Sequence, residues 1–183
     1  MRHPLKNNPR SWRLVVLVVL IALTFIVGRQ TKQDLYVFPM NALELAPNTK
    51  AAWIIIALWK AIDPGLHAAH SLQYWDNYFI LCYSTSLALA CLIIADWLYS
   101  SEARANFHGK LLAGLMLVAG ILDYVENYAI NKMLDGSVET RWVNMSSWSA
   151  SIKFALIGTG LIYIISGVVV GLMRRKKAAA DLR

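Results

Sequence analysis

The chain has 183 residues, 57% of them hydrophobic and 16% charged, with a formal net charge of +7. That balance is too apolar for an ordinary water-soluble domain and fits an integral membrane protein. The positive charge is no nucleic-acid signal, because the basic residues are divided between the chain ends and the flanks of apolar runs.

Four long apolar runs stand out, at about 14–28, 78–99, 111–130 and 149–173. Each comes near the roughly 17–25 residues needed to cross about 30 Å of hydrocarbon. Backbone in lipid must satisfy its own hydrogen bonds, and continuous rather than alternating apolarity excludes barrel strands. The expected fold is therefore an all-α integral membrane protein. Four transmembrane helices form a bundle, with a helical cap on the outer side over residues 29–77, all in a single membrane domain of 1–183.

The first run is the shortest and spans only with its flanks. Its basic start and apolar middle also fit a signal peptide, but no A-x-A-like cleavage site follows, which favours an uncleaved anchor. The cap begins irregularly, with Pro39 and Pro47. "NTKAAWIIIALWKAI" then predicts a short helix with Thr49 at its N-cap, too short to cross. Trp53 and Trp59 suit the headgroup zone. Asp63 and Pro64 are placed to cap and start the next helix, "LHAAHSLQYWDN", which can run straight into the second span.

Cys82 and Cys91 lie on the second span, nine residues apart. They fall on opposite faces, about 13 Å apart along the axis, and cannot bond to each other. Asp96, at the inner end of that span, should meet Arg104 or Lys110 at the interface. The short connection to the third span makes those helices antiparallel neighbours. After the third span, "LDGS" predicts a turn, and Ser146 or Ser147 can cap the fourth. Gly167 and Gly171 on the fourth span signal close packing within the molecule.

Lysine and arginine set the orientation. Eleven lie at the N-terminus, in the connection 100–110 and in the tail, including Arg2, Arg13, Lys110, Arg174 and Arg175. Six lie in 29–76 and 131–148, where six acids balance them. Both termini should be cytoplasmic, in a multi-pass protein of the cell inner (plasma) membrane.

The third span carries Asp123, Glu126 and Asn127 at i, i+3 and i+4, so they share one helix face. Gly120, Met116 and Ala113 continue that face. With a 1.5 Å rise, Glu126 lies about 9 Å and Asp123 about 13 Å below the outer end. Lys153 lies about 8 Å down the fourth span and Tyr83 about 10 Å down the second, whose mouth is marked by Asp76 and Asn77. Asp76, Asn77, Tyr83, Asp123, Glu126, Asn127 and Lys153 therefore agree in depth and can form one binding site. Charged groups at that depth pair with one another or mark a pathway. Lys153 compensates one acid only, so Asp123 and Glu126 should not both be ionised, and Asp123, the deeper, is expected to hold the proton.

His67 and His70, at i and i+3, are weaker candidates, as metal ligands without an H-E-x-x-H pattern. No motif implies a cofactor. The function expected first is binding or transport of a small polar molecule, lipid headgroup or cation through the acid–Lys site. Four spans without a repeat are few for a self-contained carrier, so transport goes with a homo-oligomer or a membrane-protein partner. A second expectation is an intramembrane lipid-modifying enzyme using Asp123 or Glu126 as general acid/base, although no nucleophile–base pair is assembled. A third is an accessory or assembly subunit whose polar cluster is structural only.

Overall fold

The computed structural model describes residues 9–31, 38–62, 65–98 and 103–180. Among these are six helices: α1 (Pro9–Gln30), α2 (Met40–Glu44), α3 (Thr49–Ala61), α4 (Gly65–Leu98), α5 (Ala103–Leu134) and α6 (Thr140–Ala180). The fold is all-helical, and α1, α4, α5 and α6 are each long and apolar enough to cross a membrane. Large apolar side chains such as Phe25, Ile162, Ile165 and Met173 lie exposed on their flanks. A water-soluble protein would bury such a surface, whereas lipid accepts it.

Helix α5 packs against both α4 and α6, and α1 lies along α4. Contacts between α1 and α4 run antiparallel. The Arg13–Asp96 ion pair stands at one end, Thr24 and Ser86 hydroxyls lie 3.5 Å apart in the middle, and Gly28 approaches Phe79 at the other. Asp96, expected near Arg104 or Lys110, thus pairs with Arg13, because α1 returns its first turn to the last turn of α4.

Small residues set how closely the long helices approach. A Cβ on Gly120 of α5 would stand 2.8 Å from Ser84 Oγ of α4. Gly160 of α6 faces Met116 of α5, while Gly167 and Gly171 face Ile94 and Trp97 of α4. The glycine pair on α6 therefore packs within the molecule, as its spacing suggested. Ala88, Cys91, Ala113 and Met116 fill the layer between. Cys82 and Cys91 are both free thiols.

The cap consists of α2 and α3. Asn48, rather than Thr49, is the N-cap of α3: its side chain accepts from the Ala51 N–H at 2.9 Å. Leu43, Ile56 and Trp59 pack on Ile130, Met133 and Leu134 of α5 and Val143 of α6. Trp53 is half exposed, but Trp59 is only 1% exposed and donates its indole N–H to the Phe38 carbonyl at 3.2 Å. Trp59 thus belongs to the cap core and is not an interfacial residue; its ring is buried in the apolar cluster that the cap forms with the bundle. A Cβ at Gly65 would lie 2.6 Å from the Trp59 carbonyl oxygen, so the α3–α4 connection needs glycine there. The proposed cap residues Asp63 and Pro64 lie outside the described residues.

Helix α4 starts at Gly65, so the segment before the second span does run straight into it. Helix α6 starts at Thr140, well before the expected 149, and Ser146 and Ser147 are interior rather than capping. Hydropathy missed that first stretch because it carries exposed polar residues, Thr140, Arg141 and Asn144, while Val143 and Ser146 are buried against the cap. The predicted turn is present. Gly136 has φ 102°, Gly136 N–H donates to Met133 O at 3.1 Å and Ser137 N–H to Lys132 O at 2.9 Å. This pair of bonds is a Schellman ending of α5, and it turns the chain sharply into α6.

Candidate functional site

The cap covers the end of the α4–α5–α6 bundle at the level where the polar residues gather. Little more than one turn of α5 builds the centre. Asp123, Glu126 and Asn127 all point inward and are buried, Glu126 completely, at 0% exposure. The i, i+3, i+4 spacing aims them at α4 and α6, and Gly120 and Ser84 hold the α4–α5 seam narrow one turn below.

Lys153 of α6 is 5% exposed and inserts between the two acids. Its ammonium donates to Asp123 Oδ1 and stands 2.8 Å from Glu126 Oε2. The other oxygen of Asp123 accepts from the Tyr83 hydroxyl of α4 at 2.6 Å. Asp123 thus has a donor on each oxygen, the pattern of a carboxylate. That placement opposes the expectation that Asp123, as the deeper acid, holds the surplus proton. Donor supply, and not depth, distinguishes the two acids.

Asp76 and Asn127 join the cluster as a pair, Asn127 Nδ2 donating to Asp76 Oδ2 at 2.8 Å. Asn77 is brought to the same level but does not join through its side chain. Its amide donates back to the Gln73 carbonyl at 2.9 Å, and its own backbone carbonyl accepts from the Tyr124 hydroxyl at 2.7 Å. Of the seven residues singled out, six have side chains in these contacts across α4, α5 and α6.

One member was not foreseen. Glu44, the last residue of α2, sends its carboxyl group toward Glu126 and interacts with it directly. Its backbone carbonyl accepts from Ser146 Oγ of α6 at 3.2 Å, which seats the cap on the bundle. Burial raises the Glu44 carboxyl above its ordinary range. Lys153 opposes the rise, while Asp76 and Asp123 add to it, and hydrogen bonding with Glu126 again opposes it. No spacing in the chain joins Glu44 to the third span. Only its place at the end of a short apolar helix, directed at the bundle, could have hinted at it.

The satisfied bonds leave two buried acceptors over. The contact of Glu126 Oε2 with Lys153 is an ion pair and not an aligned hydrogen bond, and Glu126 Oε1 has no donor among the described residues. Gln73 Oε1, one turn before Asp76 and Asn77 on α4, also has none. Gln73 is 2% exposed. Buried acceptors without donors cost on the order of 1–3 kcal/mol each. A proton shared between Glu44 and Glu126 offsets part of that cost, and a ligand rich in N–H or O–H groups can do the same.

His67 and His70 lie on the first turns of α4, away from these contacts. Among the described residues, no group of three or more His, Cys, Asp or Glu side chains is placed to hold a metal ion. Four carboxyl groups, from Glu44, Asp76, Asp123 and Glu126, therefore gather around one ammonium group, in a multi-pass membrane protein with buried Asp/Glu–Lys ion pairs. The chain matches no family model, no curated protein and no solved structure.

Proposed function

We propose that this protein binds a small polar ligand carrying an ammonium group, free or as a lipid headgroup, at the carboxyl cluster beneath the cap. The observation that carries the reading is Glu126 Oε1, a wholly buried carboxyl oxygen without a donor, in a site where acids outnumber bases. Such a site favours an incoming group that brings both positive charge and N–H donors. A bare metal ion is a poorer fit to the donor geometry. One proton shared between Glu44 and Glu126 offsets the surplus negative charge in the empty protein, and it leaves when the ligand's ammonium group brings its own charge and N–H donors.

The cap faces the side away from the cytoplasm and both termini face the cytoplasm, in an inner membrane of bacterial type. The lysine and arginine asymmetry supports this orientation.

The test uses the purified protein in detergent, with ethanolamine as the probe. Ethanediol, of the same size without the nitrogen, and sodium chloride at equal ionic strength are the controls. Ethanolamine should raise the melting temperature saturably and release protons, and Glu126→Gln should abolish both effects. An equal response to sodium chloride, or an unchanged response in Glu126→Gln, would overturn the proposal and leave the cluster a structural clamp between helices.

A further inference from the structure

At the opposite end of the bundle, a cleft of about 470 Å³ opens between α1, α4 and α6. It follows from the packing already described. Gly167 and Gly171 draw α6 tightly onto Ile94 and Trp97 of α4, while α1 lies on a different flank of α4. The two outer helices leave a gap between them. Leu14 and Leu17 of α1, Ala90 and Ile93 of α4 and Val168 of α6 line it, and Arg175 stands at its mouth. From Arg175 to Ile164, the deepest lining residue on α6, the cleft is about 16 Å long at 1.5 Å per residue.

The mouth is strongly basic. The Arg175 guanidinium lies 5.2 Å from the centre of the Trp97 ring, which fixes its place. Arg174 donates to the Leu98 carbonyl at 3.1 Å, and Lys176 and Lys177 follow on the same exposed turn. The acid near the inner end of α4 among the described residues, Asp96, is already committed to Arg13. Among the described residues, no carboxylate pairs with Arg175.

We infer that this cleft is a binding site for one anionic phospholipid, with an acyl chain between α1 and α6 and the phosphate on Arg175. The wall is apolar over the length of much of a chain, and the charged residue that lines the cleft, Arg175, is basic. Basic pockets between membrane helices take anionic headgroups for this reason. Charge also argues against a second copy of the chain as occupant, since each copy brings its own Arg175 to the seam.

Native mass spectrometry of the full-length protein, titrated with phosphatidylglycerol, tests the inference. Phosphatidylcholine with the same acyl chains and glycerol 3-phosphate are the comparators. One phosphatidylglycerol per chain should be retained, in preference to both. Arg175→Gln, a change on an exposed turn, should weaken retention about fivefold, the factor for losing one basic contact near the surface. Ala90→Phe should block the cleft and remove the bound lipid; if it does not fold, Arg175→Gln alone decides. Equal retention of phosphatidylcholine, retention of glycerol 3-phosphate in place of lipid, a lipid-free dimer, or wild-type retention by Arg175→Gln would each overturn it.

Discussion

Glu126 Oε2 lies 2.8 Å from the Lys153 ammonium with no exposed surface on the acid, yet the other oxygen of Glu126 has no donor. Asp123, one turn earlier, has Lys153 on one oxygen and Tyr83 on the other. The two acids that share Lys153 are therefore unequal. Asp123→Asn removes a charge that two donors rely on and should cost about 3 kcal/mol or more, the scale for breaking a buried ion pair. Glu126→Gln keeps an oxygen toward Lys153 and brings an amide that can donate to Glu44, so it should cost about 1 kcal/mol. Unfolding of both variants in detergent measures the order. A larger loss in Glu126→Gln would return the surplus proton to Asp123.

Stability should depend on pH through Glu44. Its carboxyl is raised above the ordinary value of 4.5, with burial as the largest cause. The folded protein therefore holds this proton more tightly than the unfolded chain does. The stability it contributes is fully present below that ordinary value and is lost as pH rises through the raised one. Glu44→Gln keeps a neutral hydrogen-bonding group and should flatten this component. The difference in melting temperature between wild type and Glu44→Gln, followed upward from pH 4.5, reads it directly. A difference that does not change with pH would refute the raised Glu44 carboxyl.

The α4–α5 seam should tolerate little added volume at Gly120. A Cβ there would meet Ser84 Oγ at 2.8 Å and Ser84 Cβ at 2.9 Å, within the layer that carries the cluster. Gly120→Val should destabilise by about 1–3 kcal/mol, the usual cost of overpacking. Gly114, which has nothing within 4 Å of its added Cβ, is the control, and Gly114→Val should be nearly silent. Thermal denaturation of the two variants compares them; similar losses would show that the seam is not the constraint.

Orientation is testable by cysteine labelling after replacing Cys82 and Cys91. Leu45→Cys and Ser137→Cys, at the cap end, should react with an impermeant maleimide in intact cells. Ala179→Cys, on the exposed last turn of α6, should react only after the membrane is opened. The reverse pattern would invert the protein, against the distribution of lysine and arginine.

The sequence by itself determined the class of fold, the number of long helices and much of the cluster. Apolar runs of membrane length can only be helices, because lipid supplies no partner for open backbone. The depth match of Tyr83, Asp123, Glu126 and Lys153 was equally legible. Helix rise is constant, and charges in lipid must find one another. The close packing at Gly167 and Gly171 was legible in their one-turn spacing, and the structure identifies the neighbours as Ile94 and Trp97 of α4. What only the tertiary structure decided was contact between segments remote in the chain. Glu44 reaches Glu126 because the cap folds over the bundle end, and Ser146 holds it there. Asp96 meets Arg13 because α1 returns along α4. Trp59 is buried because the cap packs its apolar side chains on Ile130, Met133 and Val143 of the bundle. Periodicity reports which side of a helix is apolar, but it carries no information about which neighbour covers that side. The proton therefore could not be located from spacing: its place depends on which acid receives two donors and which receives none.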